Sequence, residues 1–321
     1  MIPERWLNIA LTLGLLAVPL WALWANEPFT ITLVTKVAIL ALAGVGLNIA
    51  LGIGGLVSLG HAAFFGVGGY AMGILAHHAQ TFQPMIWGLE GTKSMPIIWL
   101  TALVSSALAA LAIGALTLRT SGIYFIMITL AFGQMFYYFA ISWPAYGGED
   151  GLSIYVRNGF PGLNTLDPIQ FFAIAFVALM AALFVHARLK ASPFGLALNA
   201  ARQSPDRVET VGLSPFRLRL IAFVISGAIT GLAGALFADL NRFVSPTMFS
   251  WQLSGELIVF LLIGGVARLY GPVVGAAVFI FLEHHLGGIS EFWQIGLGVL
   301  LLLIVLFARG GLIGLVAGDK R

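Results

Sequence analysis

The chain alternates long apolar runs with short clusters of charge, proline or glycine. The runs fall at 6–25, 30–53, 56–77, 96–118, 122–142, 168–187, 218–239, 250–267, 271–285 and 291–308. A helix needs about 20 residues to cross a hydrocarbon layer of about 30 Å, so this pattern predicts ten transmembrane helices. The stretch from Gly255 to His285 is too long for one crossing. "RLYGP" breaks it at Arg268–Pro272, where a proline opens a new helix. In the first run Glu4 cancels Arg5 and no small-x-small cleavage site follows, so it reads as a retained span rather than a signal peptide.

Composition agrees with the pattern. Sixty per cent of the 321 residues are hydrophobic and 9% are charged, against roughly a quarter charged in a soluble domain. The reading is an all-α integral membrane protein, with residues 1–321 as one transmembrane domain and 188–217 as a loop within it. There is no cysteine, which excludes disulfides, thiolate catalysis and Cys-ligated metals.

The basic residues mark topology rather than nucleic-acid binding. With ten spans and both termini inside, twelve of the sixteen Lys and Arg fall on the inner side, among them Arg5, Arg119, Arg188, Arg268 and Arg321. Lys93, Arg157 and Arg242 fall outside, and Lys36 lies within the second span, where it is expected to snorkel to the outer interface, an ion pair being the alternative. If spans two to five resemble spans seven to ten, the offset of five reverses orientation and gives an inverted repeat.

Small residues recur at helical spacing. Gly44, Asn48 and Gly52 share one face of the second span; Gly66, Gly69 and Gly73 lie in the third, and Gly227 and Gly231 in the seventh. Lipid gives little hydrophobic drive between helices, so residues that admit close backbone approach drive packing. In "GGLVSLGHAAFFGVGGY" (54–70), Ser58 and His61 stand at i and i+3 near the start of the third span. "GLVSLG" has one residue too many for a G-x-S-x-G elbow, no H-E-x-x-H is present, and "GGED" is not G-x-G-D. An intramembrane hydrolase is therefore poorly supported. Two roles remain for His61: an interhelical hydrogen bond, or a place on the inner pathway.

The longest inner connection runs from Ala187 to Leu220. Ser192–Pro193 is an N-cap with proline at N1. Phe194, Leu196, Leu198 and Ala201 then predict a short amphipathic helix to Gln203. Ser204–Pro205 starts a second short helix, which Gly212 closes. A basic interfacial helix on anionic lipid explains the arginines but not two successive capped helices.

This loop resembles the coupling region of the LivM-type permeases of branched-chain amino acid ABC importers. The resemblance also covers "GLNIALGIGGLVSLGHAAFFGVGGY" (46–70), "LRTSGIYFIMITLAFGQMFYY" (118–138), "YGGEDGL" (146–152), "LIAFVISGAITGLAGALFA" (220–238) and "LIGGVARLYGPVVGAAV" (262–278), in that family's order. It implies a type II ABC importer-like fold in a bacterial inner membrane and a second, LivH-like permease as heterodimer partner. Two cytoplasmic ATPases, which carry the ATP and magnesium, and a periplasmic solute-binding protein are implied too, besides membrane lipid. By the same resemblance Ser192, Pro193, Phe194, Gly195, Leu198, Asn199 and Arg202 would contact an ATPase. Asn199 and Ala201 are uncharged where family members often carry charge. This chain has no G-x-x-x-x-G-K-[ST] run, and no cofactor or metal is expected on it. Similar permeases serve leucine, isoleucine and valine; relatives serve urea, short amides or aromatic acids.

A pathway for a small amino acid needs weak polar contacts set in an apolar wall. Asn48, His61, Thr129 and Gln134 are the candidates. The competing reading of Gln134 is a bond to a neighbouring helix, with Tyr124, Tyr137 and Tyr138 in an interfacial belt. His77, His78, His284 and His285, with Glu283 and Glu291 nearby, fall towards the outer face, but nothing fixes a zinc geometry. Glu27, Glu90, Glu149, Asp150, Asp167 and Asp239 form an acidic outer set suited to docking or solvation. A stand-alone secondary transporter or channel would need membrane-embedded carboxylates or a filter. Apart from Glu256 and Glu283, the acidic residues fall at span ends.

Overall fold

The computed structural model describes residues 4–82, 91–288, 293–308 and 310–317. Glu90, Glu291, Arg309, Lys320 and Arg321 lie outside the described residues. The fold is helical: α1 (Glu4–Trp24), α2 (Pro28–Asn48), α3 (His61–Thr81), α4 (Met95–Thr117), α5 (Ile123–Ile141), α6 (Pro168–Ala191), α7 (Pro193–Gln203), α8 (Pro205–Thr210), α9 (Pro215–Asn241), α10 (Trp251–Gly264), α11 (Gly271–Gly287), α12 (Trp293–Phe307) and α13 (Gly311–Ala317). Six of these, α1, α2, α4, α5, α6 and α9, are long and apolar enough to cross a membrane, and three shorter apolar helices lie in the C-terminal third. The protein is a multi-pass membrane protein.

The centre is α2. It is apolar all round, and every residue from Val37 to Gly54 is buried, as expected for a helix enclosed on all sides. It continues through a π-helical turn, Ile49–Ile53. Around it pack α6, α9, α10 and α11, while α1 lies against it from outside with most of its surface exposed. The packing has a regular plan. Helices α3 and α4 pack on each other and on α9; α10 and α11 pack on each other and on α2; and α2 packs on α9.

Glycine permits these approaches. A side-chain carbon at Gly68 would run into the carbonyl of Gly231, and one at Gly234 into that of Phe65, so α3 and α9 touch backbone to backbone. Each glycine picked out in the sequence also abuts another element or turn. Gly44 lies against Pro272, Gly52 against Ala267, Gly66 against Phe249, Gly69 against Met248 and Gly73 against Val244. Gly227 lies against Ala110 and Gly231 against Ser106.

Several boundaries differ from the sequence reading. The third helix begins at His61, not near residue 56. Gly55 takes a left-handed φ of +69°, and Ser58 Oγ accepts the Gly60 N–H at 3.2 Å, a local turn that competes with helix. Ser58 and His61 therefore do not share a helical face. Helix α10 ends at Gly264 because Gly265 and Ala267 have φ of +118° and +64°. The short helix α13 was not anticipated.

At the end opposite α7 and α8, the segment between α5 and α6 is ordered by polar bonds. Leu152–Ser153 pairs antiparallel with Phe243–Val244. The Arg157 guanidinium donates to the carbonyls of Asp239, Leu240 and Thr165 and lies over the Phe171 ring. Asp239 is buried, accepting the backbone and side-chain N–H groups of Asn158. It does not belong to an exposed acidic set, because the Arg157 and Asn158 network encloses it. Lys36 takes the ion-pair role, the alternative to plain snorkelling: its half-buried Nζ pairs with Glu283 at 2.9 Å, with Glu256 within electrostatic reach.

Candidate coupling surface and permeation face

The loop between α6 and α9 folds as two short helices, of which α7 has the expected side-chain N-cap, whereas Ser204 makes no capping bond to α8. Ser192 Oγ accepts the Gly195 N–H at 3.2 Å with Pro193 at the first position, and Gly212 closes α8 in a left-handed conformation. In α7, Gly195, Leu198 and Ala201 face inward, and Phe194 packs on the core. Pro193, Leu196, Asn199, Ala200, Arg202 and Gln203 are exposed. Leu196 thus lies on the outer face, not on the apolar face with Leu198 where the sequence pattern put it. Between α7 and α8, Ala197, Ala200, Gln203, Arg207 and Val211 line a groove of about 330 Å³.

Side chains tie this surface to the bundle. Arg202 Nη1 donates to the Gly52 carbonyl at 2.8 Å, at the π-helical end of α2. Arg219, near the start of α9, donates to the Ala201 carbonyl at 3.0 Å, and Lys190 Nζ donates to the Ala267 carbonyl at 2.7 Å. Ala267 lies in the elbow between α10 and α11, which Asn48 also holds. Asn48 Nδ2 donates to the Arg268 carbonyl at 2.9 Å, and its Oδ1 accepts the Ala267 N–H at 3.1 Å. Asn48 and Gly52 therefore sit one turn apart at the junction of surface helix, buried helix and elbow.

His61 belongs to a second polar chain. Ser226 Oγ donates to the Gly46 carbonyl at 2.6 Å, so its lone pair receives the His61 Nε2–H at 2.8 Å. The interhelical bond expected of His61 is present. Phe64 and Phe223 pack edge-on against the imidazole, and its Nδ1 has no partner among the described residues. Two more serines bridge helices: Ser106 donates to the Phe64 carbonyl, and Ser254 Oγ accepts the Ala62 N–H. The sequence reading missed Ser106, Ser226, Ser254, Lys190 and Arg219. A serine within an apolar run was the available signal for the first three.

The other two pathway candidates lie apart from this junction. Thr129 is fully buried, donates to the Ile126 carbonyl and backs onto Gly60. Gln134 and Tyr137 line a crevice of about 270 Å³ with Thr247, Ser250, Trp251 and Gln252. Helix α5 leaves Ile123, Tyr124, Met127, Met135 and Tyr138 exposed along its length. Of the paired histidines, His78 bonds Tyr146, while His284 and His285 line an apolar groove against α1 and α2.

Comparison with known proteins adds to this geometry. Residues 29–316 match the family described as branched-chain amino acid transport system / permease component. The chain belongs to that family. It is 28% identical to the high-affinity branched-chain amino acid transport system permease protein LivM of Escherichia coli (strain K12), over 88% of this chain and 70% of the relative. A probable LivH permease of Methanocaldococcus jannaschii is 24% identical over 67% of this chain. The ribose import permease RbsC of Bacillus subtilis (strain 168) is 26% identical over 51%. No solved structure matches. The chain is thus a transport component, an ABC permease of the LivM type.

Proposed function

We propose that this chain is the membrane-spanning permease subunit of an ATP-driven importer for branched-chain or other aliphatic amino acids. It moves its cargo from periplasm to cytoplasm across the bacterial inner membrane by alternating access. The observation that carries the reading is the fastening of α7. An N-capped surface helix with an exposed polar face is bonded through Arg202 to the end of the central helix and through Arg219 to α9. A partner that moves α7 would therefore move the core.

The chain has no phosphate-cradling loop of its own. Two separate cytoplasmic ATPases, holding ATP and magnesium, would dock on α7 and α8, and the exposed flank of α5 would meet a LivH-like permease across the pathway. A solute-binding protein would deliver cargo on the periplasmic side. Ten spans, counting α10, α11 and α12, with both termini cytoplasmic, agree with the distribution of Lys and Arg. Exchanging α2 with α9, α3 with α10, α4 with α11 and α5 with α12 maps the packing plan onto itself, as an inverted repeat requires. The LivM protein of Escherichia coli matches 88% of the chain and the ribose permease of Bacillus subtilis 51%, and the family itself is described by branched-chain amino acid transport, which favours amino acids as cargo.

Uptake of labelled leucine into membrane vesicles, with and without co-expressed ATPases, tests the reading. ATP-dependent uptake only in the complete assembly is the expected result. Uptake by this chain alone, driven by a proton gradient, would make it a secondary transporter.

A further inference from the structure

A small pocket of about 180 Å³ opens beside the junction just described, where α7, the start of α9, the turn after α2 and the α4–α5 turn meet. Its polar wall is Arg202, Arg219 and Ser121; its apolar wall includes Val57, Leu118 and Phe125. Each guanidinium spends one N–H on a backbone carbonyl, and neither forms an ion pair among the described residues. Arg219 Nε is buried and has no acceptor among the described residues. No Asp or Glu lines the pocket. Helix α5 starts in the same wall at Gly122 with no side-chain cap, so the positive end of its dipole adds to the two cations.

We propose that this pocket, where Arg202 and Arg219 face the uncapped start of α5, is an anion subsite at the cytoplasmic mouth that takes the carboxylate of a small apolar solute. The planar forks match a planar carboxylate, which they can hold through paired N–H bonds. The opposing Val57, Leu118 and Phe125 suit an aliphatic or aromatic remainder. With no acidic side chain in the lining, the subsite reads the carboxylate and the hydrocarbon but not an ammonium group. A neutral sugar, urea or amide offers these cations no charge to pair with. The subsite would thus separate carboxylate-bearing cargo from neutral cargo at the point of release. This inference rests on the reading of the α5 flank as the pathway wall.

The natural absence of cysteine supplies the test. The full chain carrying Ser121→Cys is placed in phosphatidylcholine nanodiscs, and the rate of maleimide modification is followed with 4-methylpentanoate, its neutral amide 4-methylpentanamide, or inorganic phosphate. The carboxylate should slow modification about threefold or more at millimolar concentration, the amide should not, and Arg219→Gln should abolish the protection. If Arg219→Gln fails to fold, Arg219→Lys, which keeps the charge but not the fork, should weaken it. Equal protection by acid and amide, or none by the acid, would overturn the proposal. So would protection by inorganic phosphate alone, which would make this a phosphate site. The assay needs no ATPase or binding protein, so its failure would leave ATP-driven import standing.

Discussion

Arg202 on α7 donates Nη1 to the Gly52 carbonyl, 2.8 Å away, and so fastens a surface helix to the last turn of the most enclosed helix in the bundle. One turn earlier, Asn48 grips the elbow between α10 and α11, and Lys190 reaches the same elbow from the end of α6. A displacement of α7 is therefore transmitted to the core through hydrogen bonds, not only through apolar contact. The π-helical turn at Ile49–Ile53 sits at this junction, in keeping with the tendency of such turns to mark functional positions.

Arg202→Ala removes the link and leaves α7 itself intact. Its side chain is exposed, so folded stability should change by less than about 1 kcal/mol. ATP-driven uptake should fall about tenfold, the equivalent of about 1.4 kcal/mol in coupling, while the ATPases still co-purify with the permease. Uptake assays paired with pull-down of the ATPases check both halves.

Asn48→Ala should behave in the opposite way. Asn48 is fully buried and makes two bonds to the elbow, so its loss strands a donor and an acceptor. The expected destabilisation is about 2–4 kcal/mol, seen as a lower unfolding midpoint in detergent.

Gly68→Val should be among the most damaging single changes, because its side chain would meet the Gly231 backbone, which has nowhere to move. A loss of about 3 kcal/mol or more is expected. Gly14→Ala is the control, since nothing lies within 4 Å of the added carbon. It should stay within about 1 kcal/mol of the unaltered protein. Yield and thermal melting of the two purified variants make the comparison.

Much of this was legible before the structure. Apolar run lengths placed the main helices, and Ser192–Pro193 and Ser204–Pro205 marked α7 and α8 because a proline at the first helical position is a local signal, joined in α7 by the Ser192 cap. The 4-residue spacing of Gly44, Asn48 and Gly52 identified the face that meets the elbow. What the pattern could not give is which distant backbone group a polar side chain reaches. Lys36 finds Glu283 247 residues away, and Ser226 finds Gly46 180 residues away; no local rule encodes either. Asp239 read as surface because it ends a span, yet Arg157 and Asn158 fold back over it. Leu196 misled in the other direction: an apolar residue on a surface helix looked like core but faces outward, where a partner could cover it.

The central claim is that α7 is the place where ATPase motion enters this permease. Single cysteines can be introduced at Leu196, Leu198 and Asn199, in a protein that has none, and crosslinked to co-expressed ATPases with and without ATP. Leu196→Cys and Asn199→Cys, on the exposed face, should crosslink in a nucleotide-dependent way, and Leu198→Cys, fully turned inward, should not. Absence of crosslinking from every position between Ser192 and Gln203, or equal crosslinking from Leu198→Cys, would contradict the account.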